Sequence, residues 1–324
     1  MEGTRLPIGP GSDHIAEIPE EHSSGRGSNT LADAGSGSAA SWAGNDRRRL
    51  VLWAVITFIP PVFVLLLLRR LGLAGDPGVL AVPTELPIKA ASVVFVLLAT
   101  WIVSRMEKRP FAAYGMPPRQ AFGVRFWEGL IWGFAILSAV VLVLVPSGNF
   151  RIASAALTGS AAVRSDLAWG VTFLAVSWHE EFAFRGYWLF FMARRMRFWP
   201  AALFLSGVFG AAHLGNHGEN AIGILHVVGT GLLFCLIIRR TGNLWFAAGY
   251  HAAWDWAETF FYGTPDSGLL GVGRFLNSSV RGPDWLTGGS AGPEGSVISI
   301  VGLLLCALLI HWRFPRVVYP DRPE

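Results

Sequence analysis

Charge is what this sequence has least of: 15% of its 324 residues are Asp, Glu, Lys or Arg, against about 25% in an ordinary soluble domain. With 52% hydrophobic residues and a mean hydropathy of +0.45, the composition argues against a water-soluble enzyme and for a bilayer as the solvent. Cysteine is scarce too. Cys235 and Cys306 both lie in apolar runs, so two buried thiols are expected, and a disulfide framework or a cysteine-rich zinc site is excluded. Before Arg47 there is no basic start followed by an apolar run of about 7 to 15 residues and a small-residue cleavage site. No secretory signal is therefore expected, and the first apolar helix stays attached. The net charge of +4 is carried by arginines at the ends of apolar runs. There they meet headgroups and set topology, so no nucleic-acid partner is expected.

Long apolar runs are what the sequence has in abundance. A helix crosses a hydrocarbon core about 30 Å thick with about 20 apolar residues. About eight stretches qualify: 51–68, 88–104, 127–145, 169–193, 200–214, 221–238, 244–261 and 297–312. The fifth is short, and Pro60–Pro61 interrupts the first. The expected fold class is all-α, a polytopic integral membrane helix bundle. Residues 1–46, rich in Gly, Ser, Ala and Pro, read as a disordered tail. Residues 47–316 form the transmembrane domain, residues 263–296 an external loop, and residues 317–324 a C-terminal tail. Arg47–Arg49, the Arg105–Arg125 loop, Arg194–Arg197, Arg239–Arg240 and Arg313–Arg316 fall on one face of an eight-span bundle. The opposite loops hold scattered arginines, and Arg69 with Arg70 is the one discordant pair, so both termini are expected in the cytoplasm. No paired broken helices of the kind found in secondary transporters are present.

Ionisable residues inside such spans cost about 2.5–3.5 kcal/mol each on insertion scales, so they face a cavity or a partner. His179-Glu180-Glu181-Phe182-Ala183-Phe184-Arg185 lies in the fourth span. Glu181 and Arg185, four apart, stack on one helical face, which leaves Glu180 for proton chemistry. A zinc-binding H-E-x-x-H reading fails because Ala183 stands where the second histidine would be. Phe209-Gly-Ala-Ala-His213 closes the fifth span, and His251-Ala-Ala-Trp-Asp255 lies in the seventh. Four-residue spacing puts His251 and Asp255 on one face, where they can bind a metal or the carboxylate can fix the histidine's tautomer. His217, Glu219, Asn220 and His226 form a looser group. The first two read as solvated and His226 as support behind the site. Counted along their helices at about 1.5 Å per residue, Glu180, His213 and His251 share a depth to within about 8 Å.

These motifs, Glu180-Glu181…Arg185, Phe209…His213 and His251…Asp255, resemble those of the CAAX-protease and bacteriocin-processing (CPBP, or Abi) family of intramembrane proteases. The resemblance covers residues 88–260, including Arg109-Pro110…Tyr114-Gly115 and the Arg240–Trp245 turn. It implies a membrane endopeptidase acting on a membrane-associated protein or peptide. In that scheme Glu180 and His213 activate water, His251 and Asp255 hold the scissile carbonyl or oxyanion, and Glu181 with Arg185 supports them. It leaves two chemistries open. A divalent metal such as zinc could be held by Glu180, His213, His251 and Asp255, or the glutamate–histidine pair could act without an ion. This chain has Asp255 where the family also uses Asn, and an ionised Asp cannot donate to an oxyanion. Orienting His251 or binding a metal is therefore the expected role. Two rival readings use the same residues: a proton-coupled carrier, and a catalytically silent immunity protein that keeps the fold.

Overall fold

The computed structural model describes residues 32–75 and 78–319. The chain divides into Met1–Asp46 and Arg47–Glu324, and the site lies in the second unit. Residues 1–31 of the expected tail lie outside the described residues. From Ala32 the chain is already helical, so the first helix, α1 (Ala32–Arg70), starts well before the arginine cluster where the apolar run begins. Seven further helices follow: α2 (Val82–Glu107), α3 (Val124–Leu144), α4 (Gly159–Arg185), α5 (Tyr187–Met196), α6 (Phe198–His213), α7 (Ala221–Thr241) and α8 (Trp245–Trp256). A π-helical segment, Ala257–Tyr262, extends α8; the short α9 (Asp284–Thr287) and the apolar α10 (Val297–Arg313) close the chain.

The protein is an all-α integral membrane helical protein. Among the described residues four helical stretches are long and apolar enough to cross a bilayer: Gly44–Arg70, Val82–Glu107, Val124–Leu144 and Ala221–Thr241. The apolar helices Phe198–His213 and Val297–Arg313 are shorter. Val62, Phe63 and Leu67 on α1, Ile131 and Leu142 on α3, and Leu304 and Leu305 on α10 are exposed. Hydrocarbon solvates such side chains without cost, whereas water would not.

One expected span is two helices. Residues 169–193 do not form a single rod, because α4 ends at Arg185 and α5 starts at Tyr187. Gly186 sits between them with ψ −125°, far from helical values. A Cβ there would collide with the Phe182 carbonyl, so the bend needs glycine. Glu107 at the end of α2 holds the new direction: it accepts from the Tyr187 hydroxyl, the Tyr114 hydroxyl and Arg194, each at 3.0 Å. Hydropathy could not reveal the break, since both halves are apolar.

The stretch 263–296, expected as an external excursion, is tied back to the bundle. Strand β1 (Val79–Leu80) precedes α2 and runs parallel to β4 (Leu269–Gly271), which pairs antiparallel with β3 (Pro265–Asp266). A second small sheet joins β2 (Phe150–Arg151) to β5 (Ser279–Val280).

Helix α8, which carries His251 and Asp255, is placed by small residues. Gly129 and Gly133 on α3 face the carbonyls of Phe246 and Tyr250, and Gly249 on α8 faces the carbonyl of Phe126. This Gly-xxx-Gly contact lets two backbones approach closely in a medium where apolar burial alone does not drive helices together. The Ser177 hydroxyl donates to the Ala248 carbonyl at 2.6 Å and pins α4 to the same helix. A Cβ at Gly133 would land on the Tyr250 carbonyl oxygen, whereas one at Gly170 meets nothing. Gly133→Val is therefore expected to destabilise the detergent-solubilised protein by about 1–3 kcal/mol, with Gly170→Val near the parent. Thermal unfolding of the two variants side by side checks this.

Candidate active site

Glu181 is fully buried in α4. Its Oε1 accepts from Arg185 Nη1 at 3.0 Å, the i to i+4 contact the spacing predicts, and from His251 Nδ1 at 2.9 Å. Arg185 is buried as well, and its guanidinium lies 4.1 Å from the centroid of the Phe209 ring. A desolvated guanidinium over an aromatic face gains about 2 kcal/mol. The phenylalanine of the Phe209…His213 motif thus locks α6 to the α4 pair, a role that spacing alone does not disclose. On α7 Gly231 leaves the room: a Cβ there would crowd Arg185 Nη2 and Ser206 Oγ at 2.6 and 2.8 Å.

His251 connects this buried anchor to the open side. With Nδ1 at Glu181, its Nε2 lies 3.3 Å from Asp255 Oδ2 and 3.8 Å from Glu180 Oε2. Asp255 therefore stands beside the ring as the i to i+4 spacing predicts. His213 is oriented from its other nitrogen. A carbonyl can only accept, so Nδ1–H donates to Phe209 O at 2.8 Å, and in the neutral ring Nε2 is left as a bare lone pair.

Glu180 is not free. Lys89 Nζ on α2 lies 2.7 Å from its Oε1, a charge-assisted contact between partly buried side chains. Sequence reasoning missed this lysine, although an ammonium inside an apolar span is the same kind of signal that drew attention to the glutamates. A cavity of about 410 Å³ brings the set together, lined by Lys89, His179, Glu180, His213, His251 and Asp255 with aromatic walls that include Trp169, Phe184 and Phe209. Glu181 and Arg185 stand behind this lining. Of the looser group, Asn220 is structural: its side chain caps α7 by accepting from Ile222 and Gly223 N, each at 2.9 Å. Glu219 Oε1 accepts from Asn220 N at 2.9 Å.

Of the expected metal set, Glu180 Oε2 and Asp255 Oδ2 lie 3.8 and 3.3 Å from His251 Nε2. Glu180 already faces an ammonium. Among the described residues the group of three that brings its ligand atoms within 4.8 Å of one another is Glu258, Asp266 and Glu294 instead. These belong to the far end of α8 and to the 263–296 stretch. Burial beside other carboxylates pushes Asp266 up from its ordinary range and Glu294 up to about 8.

Compared with known proteins, residues 162–257 match the family model described as type II CAAX prenyl endopeptidase Rce1-like. The matched stretch contains Glu180, Glu181, Arg185, His213, His251 and Asp255. Over that stretch the chain is similar to the CAAX-protease type that its motifs resemble, and the match supports a protease role in general terms. No curated protein and no solved structure matches the chain.

Proposed function

We propose that this protein is an intramembrane endopeptidase that hydrolyses a peptide bond of a membrane-associated protein or peptide, with water activated by Glu180 and His213. The observation that carries the reading is the convergence of Glu180, His213, His251 and Asp255, from three helices, on one cavity. Glu180 takes the proton of the attacking water and returns it to the leaving amine as the C–N bond breaks, while Lys89 fixes the carboxylate and offsets its charge. His213 Nε2, left without a proton by the Nδ1 bond to Phe209 O, is the second basic group facing the cavity. His251, doubly protonated, donates from Nε2 to the oxyanion that forms on the scissile carbonyl. Asp255 orients that ring and stabilises its charge, the task an ionised carboxylate can perform. Glu181 and Arg185 hold His251 from behind. No step passes through a metal, since Lys89 supplies the positive charge at Glu180. Both termini are assigned to the cytoplasm in this reading, the side that the arginine clusters favour.

The test is cleavage of peptides by the purified protein in liposomes, read by mass spectrometry, with C-terminally prenylated and unmodified peptides as candidate substrates. Cleavage that depends on Glu180 supports the reading, and failure to cut any membrane-associated peptide counts against it. Lys89→Met is expected to lower kcat by roughly 10- to 100-fold, because a hydrogen bond to a charged group contributes about 1.5–3 kcal/mol. Lys89→Arg should recover part of the loss. An unchanged kcat in Lys89→Met would remove the lysine from the mechanism.

A further inference from the structure

Asp266 and Glu294 line the same cavity as the candidate active site, yet they belong to a separate constellation. Glu258, in the π-helical segment after α8, Asp266 on β3 and Glu294 in the turn before α10 are all buried. Each offers an oxygen within 4.8 Å of the other two. The hydrogen bonds they receive come from neutral donors. Trp254 Nε1 donates to Glu258 Oε2 at 2.8 Å, the Glu294 backbone N–H to Glu258 Oε1 at 3.3 Å, and the Thr259 hydroxyl to Asp266 Oδ2 at 3.0 Å.

An independent feature points into the cluster. His226 on α7 is 4% exposed, and its Nδ1 has no hydrogen-bond partner. That nitrogen lies 3.9 Å from Glu294 Oε2. The ring itself is held against Trp254, with centroids 5.2 Å apart. A buried imidazole nitrogen without a partner is costly unless something binds it. Glu294 Oε1 is unpartnered as well.

We propose that Glu258, Asp266, Glu294 and His226 form a divalent-cation site distinct from the candidate catalytic set. Three oxygens within 4.8 Å of one another lie no more than about 2.8 Å from a common centre, so slight contraction brings them to the roughly 2.3–2.6 Å of oxygen-bound Ca²⁺, and a smaller ion needs somewhat more. Three carboxylates favour an oxygen-seeking cation, and the imidazole adds a ligand that Mn²⁺ or Zn²⁺ accepts more readily than Ca²⁺. The ion ties four segments together: α7, the extension of α8, β3 and the turn that starts α10. Because α8 also carries His251 and Asp255, occupancy fixes one wall of the cavity. In this role the ion is structural, and it neutralises charge that an apolar interior would otherwise exclude.

The test is metal binding and does not depend on proteolysis. The full-length protein in detergent, stripped with chelator and dialysed, is titrated with Mn²⁺ and followed by electron paramagnetic resonance, and separately with Ca²⁺ and Zn²⁺ by calorimetry. One equivalent of at least one of these ions is expected to bind and to raise the unfolding temperature. Asp266→Asn/Glu294→Gln should abolish binding, and His226→Gln should weaken it by about tenfold or more. Glu180→Gln should bind as the parent does. If the double variant fails to fold, His226→Gln and Glu180→Gln still decide between the sites. Absence of binding for all three ions, binding untouched by His226→Gln, or binding lost in Glu180→Gln would each overturn the proposal.

Discussion

Glu180→Gln is expected to lower kcat for peptide cleavage by about 10²- to 10⁴-fold, the range that a positioned general base contributes, with KM nearly unchanged. The substitution keeps the shape of the side chain, and the amide oxygen can still accept from Lys89, 2.7 Å away in the parent. What is lost is the ability to take a proton. An interaction needed only as the transition state forms is lost from kcat and kcat/KM together. His213→Gln removes the second basic group from the same cavity and is expected to act in the same direction. Circular dichroism of both variants should match the parent, since neither residue belongs to the buried Glu181–Arg185 anchor, with a modestly lower unfolding temperature for Glu180→Gln because Lys89 loses its carboxylate. A Glu180→Gln protein that cuts at the parental rate would assign the base elsewhere.

Glu181→Ala should act on stability as much as on rate. It leaves Arg185, 1% exposed, as a buried guanidinium without its carboxylate, and it strips His251 Nδ1 of the acceptor at 2.9 Å. Breaking one partner of a buried ion pair costs about 3–5 kcal/mol, a large share of the roughly 5–15 kcal/mol that holds a typical domain together. The expected result is a lower unfolding temperature and reduced yield of folded protein from membranes. Replacing both partners, Glu181→Leu with Arg185→Met, should restore much of the stability, because an apolar pair of similar volume replaces the charges. It should not restore cleavage, since His251 remains without its anchor. Equal unfolding temperatures for the parent and the single variant would show that Arg185 finds compensation elsewhere.

These two residues also show what could be read in advance. Glu181–Arg185 and His251–Asp255 are local in sequence, and helical geometry brings residues four apart into contact whatever the tertiary fold. Their distances were legible for that reason. The apolar runs were legible because the bilayer demands them. The Lys89–Glu180 contact joins residues 91 positions apart, and no periodicity encodes it. Only the expense of an ammonium in an apolar span could have flagged it. The break at Gly186 was hidden because one glycine in an apolar run is as compatible with a continuous helix as with a bend. It took Glu107, with its two phenols and Arg194, to decide the direction. The contact between α3 and α8 could have been read from Gly129-xxx-Gly133, since small residues at that spacing mark close helix packing in membranes. The cluster of Glu258, Asp266 and Glu294 draws on a stretch whose glycines and prolines carry no periodicity, so nothing short of the fold assembles it.

In this mechanism water, activated in the cavity, is the nucleophile. The most direct measurement is cleavage by the reconstituted protein in water enriched in oxygen-18, with the new C-terminal carboxylate weighed by mass spectrometry in the early phase of the reaction. One heavy oxygen per cut is the predicted result, with no product from Glu180→Gln over the same period. Product formed without the label, or labelled product at equal rates from both proteins, would contradict the account.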